Sequence, residues 1–296
     1  MADIASLQNQ EENLNLLAAQ SYFYACAKRF AALQVVAAAA TPIISAVMVA
    51  LDPAAAVWAA FIGIVVSLIE FGALDLLQEH YRDLAAAIQE QFDCNVLQLN
   101  WNEAVAGMRP SPEDIHEGAT AYGRPPTISN WYPPAVSKLA EYEGRIVCQR
   151  TNCWWDSKLR RRYAIWIMLI IGLISLSSLA VAIATGITVE KFVLAVMAPL
   201  SPMLLWGIRE VRRQREAAAR LDQLKEYGQS LWRSVITKAI DEPTANQRSR
   251  ELQDAIFIRR KSNPFVFDWI YRLLRRKYED QMNVGAQAMI NEATAH

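Results

Sequence analysis

Histidine is scarce, glycine-rich phosphate loops are missing and net charge is zero, and each lack removes a class of function. The three histidines, His80, His116 and His296, stand far apart without a partner motif. No helical histidine pair, serine elbow or phosphate loop occurs, and no two carboxylates fall into a recognisable acid–base pair. The usual routes to metal-assisted hydrolysis, acyl transfer and phosphoryl transfer therefore have no footing, and no enzyme is expected. Lysine plus arginine equals aspartate plus glutamate at 30 each. That balance gives no reason to expect a nucleic acid polymer as partner.

Cysteine is also sparse. Cys148 and Cys153 lie five residues apart with no histidine nearby, whereas structural zinc sites use pairs two to four apart with matching partners. On a helix, five residues turn by roughly 500°, so the two thiols diverge by about 140°. Cys26 and Cys94 are isolated. The expectation is four reduced thiols, with no metal and no cofactor.

What the chain has in quantity is uninterrupted apolar sequence. Phe30 to Leu51 runs without a charge, as do Pro53 to Ile69 (continued past Glu70 to Leu74), Tyr163 to Val189 and Phe192 to Ile208. A bilayer core of roughly 30 Å needs about 20 apolar residues in a helix. The first and third runs exceed that, and the second and fourth are extended by Trp58 and Trp206. The runs pair through tiny connections, Asp52–Pro53 and the TGITVEK stretch from Thr185 to Lys191. Basic residues crowd their other ends: Lys28 and Arg29, Arg160 to Arg162, and Arg209, Arg212, Arg213 and Arg215. The positive-inside rule then places both termini in the cytoplasm of a multi-pass inner-membrane protein. A cleaved signal peptide does not fit, because 29 residues that read as a helix precede the first run.

The expected division is a cytoplasmic N-terminal helix (1–29), a first transmembrane hairpin (30–77), a cytoplasmic segment (78–162), a second hairpin (163–208) and cytoplasmic C-terminal helices (209–296). Leu77, Tyr81, Leu84, Ile88 and Phe92 form one helical stripe beyond the first hairpin. Ala217, Leu221, Leu224, Leu231 and Val235 form another beyond the second. The membrane helices thus continue into a cytoplasmic bundle. Arg109 to Pro134, rich in proline and glycine, reads as loop, as does Glu242 to Asn246. A helix pair is expected over Arg250–Arg260 and Val266 to about Glu292. The fold class is all-α.

Two features point to chemistry. On the second run Ala60, Gly63, Ser67 and Glu70 share a stripe, and Ser175 and Ser178 give the third run a polar side. Small residues permit close helix contact, and an intramembrane acid usually faces a bundle interior or water. Pore lining competes with plain helix packing in which Glu70 snorkels to the interface. Outside the runs, arginines stand beside aromatics in RIVCQRTNCWWDSKLRRRY (Arg145–Tyr163) and IFIRRKSNPFVFDWIYRLLRRKY (Ile256–Tyr278). Arginine forks match phosphate oxygens and aromatic faces stack on bases. The plainer alternatives are a topogenic collar at Arg160–Arg162, a surface pair of Asp156 with Arg160, and a solvated or lipid-facing basic helix for the second segment.

LLAAQSYFYACAKR (Leu16–Arg29), FDCNVLQLNWN (Phe92–Asn102), NWYP (Asn130–Pro133), CQRTNCWWDSKLRRRY (Cys148–Tyr163) and LQDAIFIRR followed by a proline, Tyr271 and Met282 together resemble the SMODS-associating four-transmembrane effectors. The resemblance spans nearly the whole chain. It implies an effector of bacterial anti-phage signalling that forms pores in, or disrupts, the inner membrane, triggered by a cyclic di- or oligonucleotide; four helices of one protomer enclose little space, so a homo-oligomer is expected. The ligand contacts expected on that basis are Arg150, Asn152, Asp156, Arg160, Arg259 and Arg260, with Trp131, Trp155 and Tyr271 available for stacking. A membrane-anchored signalling scaffold without a pore is the rival reading, and a small transporter a third.

Overall fold

A computed structural model describes residues 3–123 and 128–295, and among them there is no strand. The chain order is α1 (Ile4–Leu7), α2 (Glu11–Leu51), α3 (Ala56–Ile69), α4 (Asp75–Val96), α5 (Glu103–Ala106), α6 (Pro112–Tyr122), α7 (Glu141–Thr185), α8 (Val189–Phe192), α9 (Ala198–Ile236), α10 (Glu242–Ser262) and α11 (Asp268–Ala295). The protein is all-α, as the sequence predicts.

Three helical stretches are long and apolar enough to cross a membrane: Glu11–Ser45, Ala56–Val96 and Glu141–Thr185. Ala56–Val96 is continuous because a π turn at Glu70–Leu74 joins α3 to α4 without breaking the rod. The fourth apolar run is divided among α8, a π turn at Val193–Met197 and the start of α9. The connections are as short as expected. Asp52 ends the first helix of one hairpin. Gly186 ends α7 in the left-handed region (φ 64°), a conformation that costs glycine nothing.

Apolar spans and the polar helices beyond them are continuous rods. α7 runs 45 residues from a buried core to the second hairpin's tip, and α9 returns alongside it for 39. They touch closely near the membrane end, where a Cβ on Gly207 would stand 2.3 Å from Ile171 Cδ1. Gly207→Leu is expected to force the pair apart at a cost of about 1–3 kcal/mol. Thermal unfolding in detergent should register that loss. Gly207→Ala should cost less, since the tip of Ile171 can rotate away.

Beyond the apolar runs the helices enclose a core in which Leu16, Leu17, Ile88, Phe92, Ile146 and Trp232 are fully buried. Both expected stripes face it, through Ile88 and Phe92 and through Leu231 and Val235. By contrast the apolar spans present bare side chains, such as Leu51, Val57, Leu68, Leu173 and Ile183, as lipid-facing surface requires.

Two expected loops are instead helical at least in part. Within Arg109–Pro134, α6 starts where the Ser111 hydroxyl accepts from the Asp114 amide at 3.1 Å, with Pro112 in the first turn and two acids following. Residues 124–127 of that stretch lie outside the described residues. At Glu242–Asn246, Asp241 caps Thr244 at 3.1 Å and Pro243 sits in the first turn, so α10 starts eight residues before the expected Arg250. In both places proline marks a helix start.

Candidate functional site

The RIVCQRTNCWWDSKLRRRY segment lies wholly on α7, so its residues fan around one helix and take different jobs. Trp155 and Asn152 point to a cleft, and Arg160 and Gln149 point into the protein.

The cleft is walled by three segments. Asn130, Trp131 and Tyr132 come from the stretch before α7, Asn152 and Trp155 from α7, and Tyr271, Arg275, Glu279 and Met282 from α11. Spacing of about one helical turn puts the four α11 residues on one face. Four residues nominated from sequence in three separate places, Trp131, Asn152, Trp155 and Tyr271, therefore line one cleft. Trp155 meets Tyr271 at 6.4 Å between ring centroids and Tyr278 at 5.8 Å, edge-on to the latter. Arg275 lies over the Tyr271 ring at 5.8 Å and reaches Glu279 at 2.5 Å. The free space is only about 70 Å³, well below the roughly 300–1,000 Å³ of ligand pockets. The rings nearly fill it.

The other nominated side chains are placed elsewhere. Arg160 is buried, at 3.0 Å from Asp156, and donates to Gln214 Oε1 (3.0 Å) and to the Pro264 carbonyl (2.6 Å). It ties α7 to α9 and to the α10–α11 linker. It is neither an exposed collar nor part of the cleft, and the Asp156 pair is not a surface pair. Arg161 and Arg162 are exposed, Arg161 pairing with Asp222. Arg260 is largely buried, its side chain 10% exposed. Its Nη1 stands 2.6 Å from Asp93 and 3.7 Å from Glu90 on α4. Burial opposes its charge, but Asp93, Tyr132 and Glu90 outweigh that and hold its pKa above the ordinary value. Both arginines thus hold internal ion pairs, and neither lines the cleft. Arg259 is half-buried on α10 and does not line the cleft. Arg150 donates to Gln229 at 3.1 Å, and burial lowers its pKa against the pull of Cys153 and Glu292.

Around Arg260 extends a polar network that sequence reasoning missed. Arg250 bonds Glu90 at 2.6 Å and Asp254 at 2.7 Å. Gln253 donates to both Glu90 and Asp93 at 2.8 Å, and the Tyr132 hydroxyl donates to Asp93 at 2.6 Å. Gln149 donates to the Ser249 carbonyl at 2.9 Å. The only sequence signal was placement: Glu90 and Asp93 lie on the inward face of the α4 stripe, where a carboxylate needs a partner.

No group of three or more metal-ligating side chains occurs among the described residues. Burial pushes the Cys94 and Cys153 thiols up to about 12 and Cys148 well above its usual value. Since the thiolate is the reactive form, maleimide at pH 8 is expected to label the native protein only at half-buried Cys26, and all four cysteines after denaturation. Mass spectrometry of the labelled protein would check this.

On the membrane side, Ala60, Gly63, Ser67 and Glu70 line one groove of about 580 Å³ together with Thr41, Pro42 and Pro202. Ser175 and Ser178 do not line it, and the Ser178 hydroxyl is donated to Ile174 O at 2.7 Å.

A profile of the SMODS-associating 4TM effector domain matches residues 2–289. The chain belongs to that family. A protein of Bacillus cereus (strain VD146) described as a "probable CBASS effector molecule" is 28% identical over 283 residues, covering 93% of this chain and 94% of that protein. No solved structure matches. A four-transmembrane domain agrees with the long apolar helices described above.

Proposed function

We propose that this effector acts in CBASS-type anti-phage defence by permeabilising the bacterial inner membrane when a cyclic di- or oligonucleotide enters the cleft. The similarity to a probable CBASS effector molecule supports the context. The observation that carries the ligand assignment is the convergence of Trp131, Asn152, Trp155 and Tyr271. Bases stack on Trp155 and Tyr271, and Asn152 and Arg275 supply polar contacts to the base edge or phosphate.

The narrowness of the cleft gives the mechanism. A base does not fit until Trp155 and Tyr271 part, which moves α11 away from α7. Ligand therefore binds the parted arrangement more tightly and shifts the population toward it. The foot of α11 is tied to the spans by the Lys28–Asp268 ion pair at 2.5 Å and by Trp269 against Trp166 at 6.1 Å. Displacement thus reaches the first and third spans. One protomer encloses little space, so the open route is built by several copies. The groove of Ala60, Gly63, Ser67 and Glu70 then packs against a neighbour or lines the route. Both termini lie in the cytoplasm.

The test is dye release from vesicles holding the full chain at increasing density, with cyclic di- and oligonucleotides added in turn. Release at micromolar ligand or below, rising steeply with protein density, is expected. No release with any of them at high density would reject the reading. Retained toxicity after exchange of the spans for unrelated hairpins would favour a scaffold instead.

A further inference from the structure

α11 has two working faces, and only one of them belongs to the cleft. At 100° per residue, Tyr271, Arg275, Glu279 and Met282 centre on one side of the helix, and Trp269, Arg272, Leu273 and Arg276 centre roughly 115° away. The second face is open. Trp269 is 44% exposed and Leu273 61%. Arg272, Arg276 and Lys277 are exposed too, and among the described residues no carboxylate pairs with them, although Asp280 stands one turn beyond Arg276.

The depth of this face is fixed by its contacts. Trp269 packs on Trp166 and on Tyr163 (6.4 Å), at the start of the third apolar run, and Asp268 meets Lys28 just before the start of the first. Successive α11 residues then meet earlier α7 residues: Tyr278 packs on Trp155, and Gly285 lies beside Arg150. The helix therefore climbs away from the membrane along α7. At 1.5 Å per residue, Arg272 and Leu273 stand roughly 5 Å above Trp269, and Arg276 roughly 10 Å. The headgroup layer is about 5–8 Å deep on each side, and arginine stems extend several ångströms further.

We propose that this face binds anionic phospholipid headgroups of the bilayer that holds the spans. Trp269 sits at the boundary between acyl chains and headgroups, Leu273 lies in the headgroup layer just above it, and Arg272, Arg276 and Lys277 engage headgroup phosphates. Charge complementarity and continuity with the lipid-facing surface of α7 identify the occupant. The inference does not rest on the nucleotide reading. It makes lipid composition a second input to the helix whose other face the ligand contacts.

The experiment places an environment-sensitive fluorophore at Leu273→Cys in a Cys26→Ser background. The full chain is reconstituted in vesicles of phosphatidylcholine alone or with phosphatidylglycerol at 30 mol % (about one lipid in three). A blue shift in the anionic vesicles is expected, and Arg272→Gln/Arg276→Gln/Lys277→Gln should abolish it. A label at Val284→Cys, roughly 22 Å from Trp269 along the helix, should not respond. Equal spectra in both vesicles, or a shift that survives the triple variant, would overturn the proposal. So would a shift that follows protein density instead of lipid, which would assign the face to a second copy. Phosphatidylglycerol retained on the otherwise unaltered protein gives an independent readout. About fivefold weaker retention per charge removed, roughly 100-fold for the triple variant, is expected; equal retention would reject it.

Discussion

Arg260→Ala is expected to destabilise the protein by about 3–5 kcal/mol, the cost of leaving a buried carboxylate without its partner. Asp93 is fully buried and keeps only Tyr132 and Gln253 as donors once Arg260 is gone. Glu90 beside it is already strained in charge. Burial and Asp93 push its carboxyl above the usual range, against Arg260 and Arg250. Taking away one of two cations therefore acts on two acids. The double change Asp93→Asn with Arg260→Met removes charge in balance and is expected to cost much less than the sum of the single changes. Unfolding midpoints of the four proteins in one detergent would measure the coupling. A single-variant cost under about 1 kcal/mol would return Arg260 to the pool of free cations.

Trp155→Ala should act in the opposite manner, sparing the fold and removing the response. Trp155 is half-buried and packs on Tyr271 and Tyr278, outside the main core. Loss of one base–aromatic stack is worth about 1–3 kcal/mol, so the nucleotide concentration for half-maximal dye release should rise roughly 5- to 150-fold. Trp154, its chain neighbour, makes an edge contact with Tyr278 at 6.1 Å but does not line the cleft. Trp154→Ala is thus the matched control. Equal effects of the two substitutions would show that aromatic bulk, and not the cleft, matters.

Particular residues show what the sequence made legible. The spans were plain because lipid demands long charge-free runs, and no packing accident hides them. α6 and the start of α10 were obscured because proline suggests a loop, while the cap before it, Ser111 or Asp241, was given too little weight. The cleft was half visible. Trp131, Asn152, Trp155 and Tyr271 stood out by type, but Arg275 and Glu279 look like any helix-surface pair until α11 is laid along α7. The partners of Arg160 and Arg260 could not be foreseen. Gln214 lies 54 residues from Arg160, and Asp93 lies 167 positions before Arg260 in the chain. Periodicity records which face a residue occupies but not which helix comes to meet it.

The split of the cleft between residues 130–155 and 271–282 also sets an order in time. Its α11 wall follows the last apolar run by roughly 60 residues, which at about 5–20 residues per second is roughly 3–12 s of synthesis. Every apolar run is thus made before the cleft is complete. On the proposed function, an interrupted copy would hold its apolar runs without a complete ligand site.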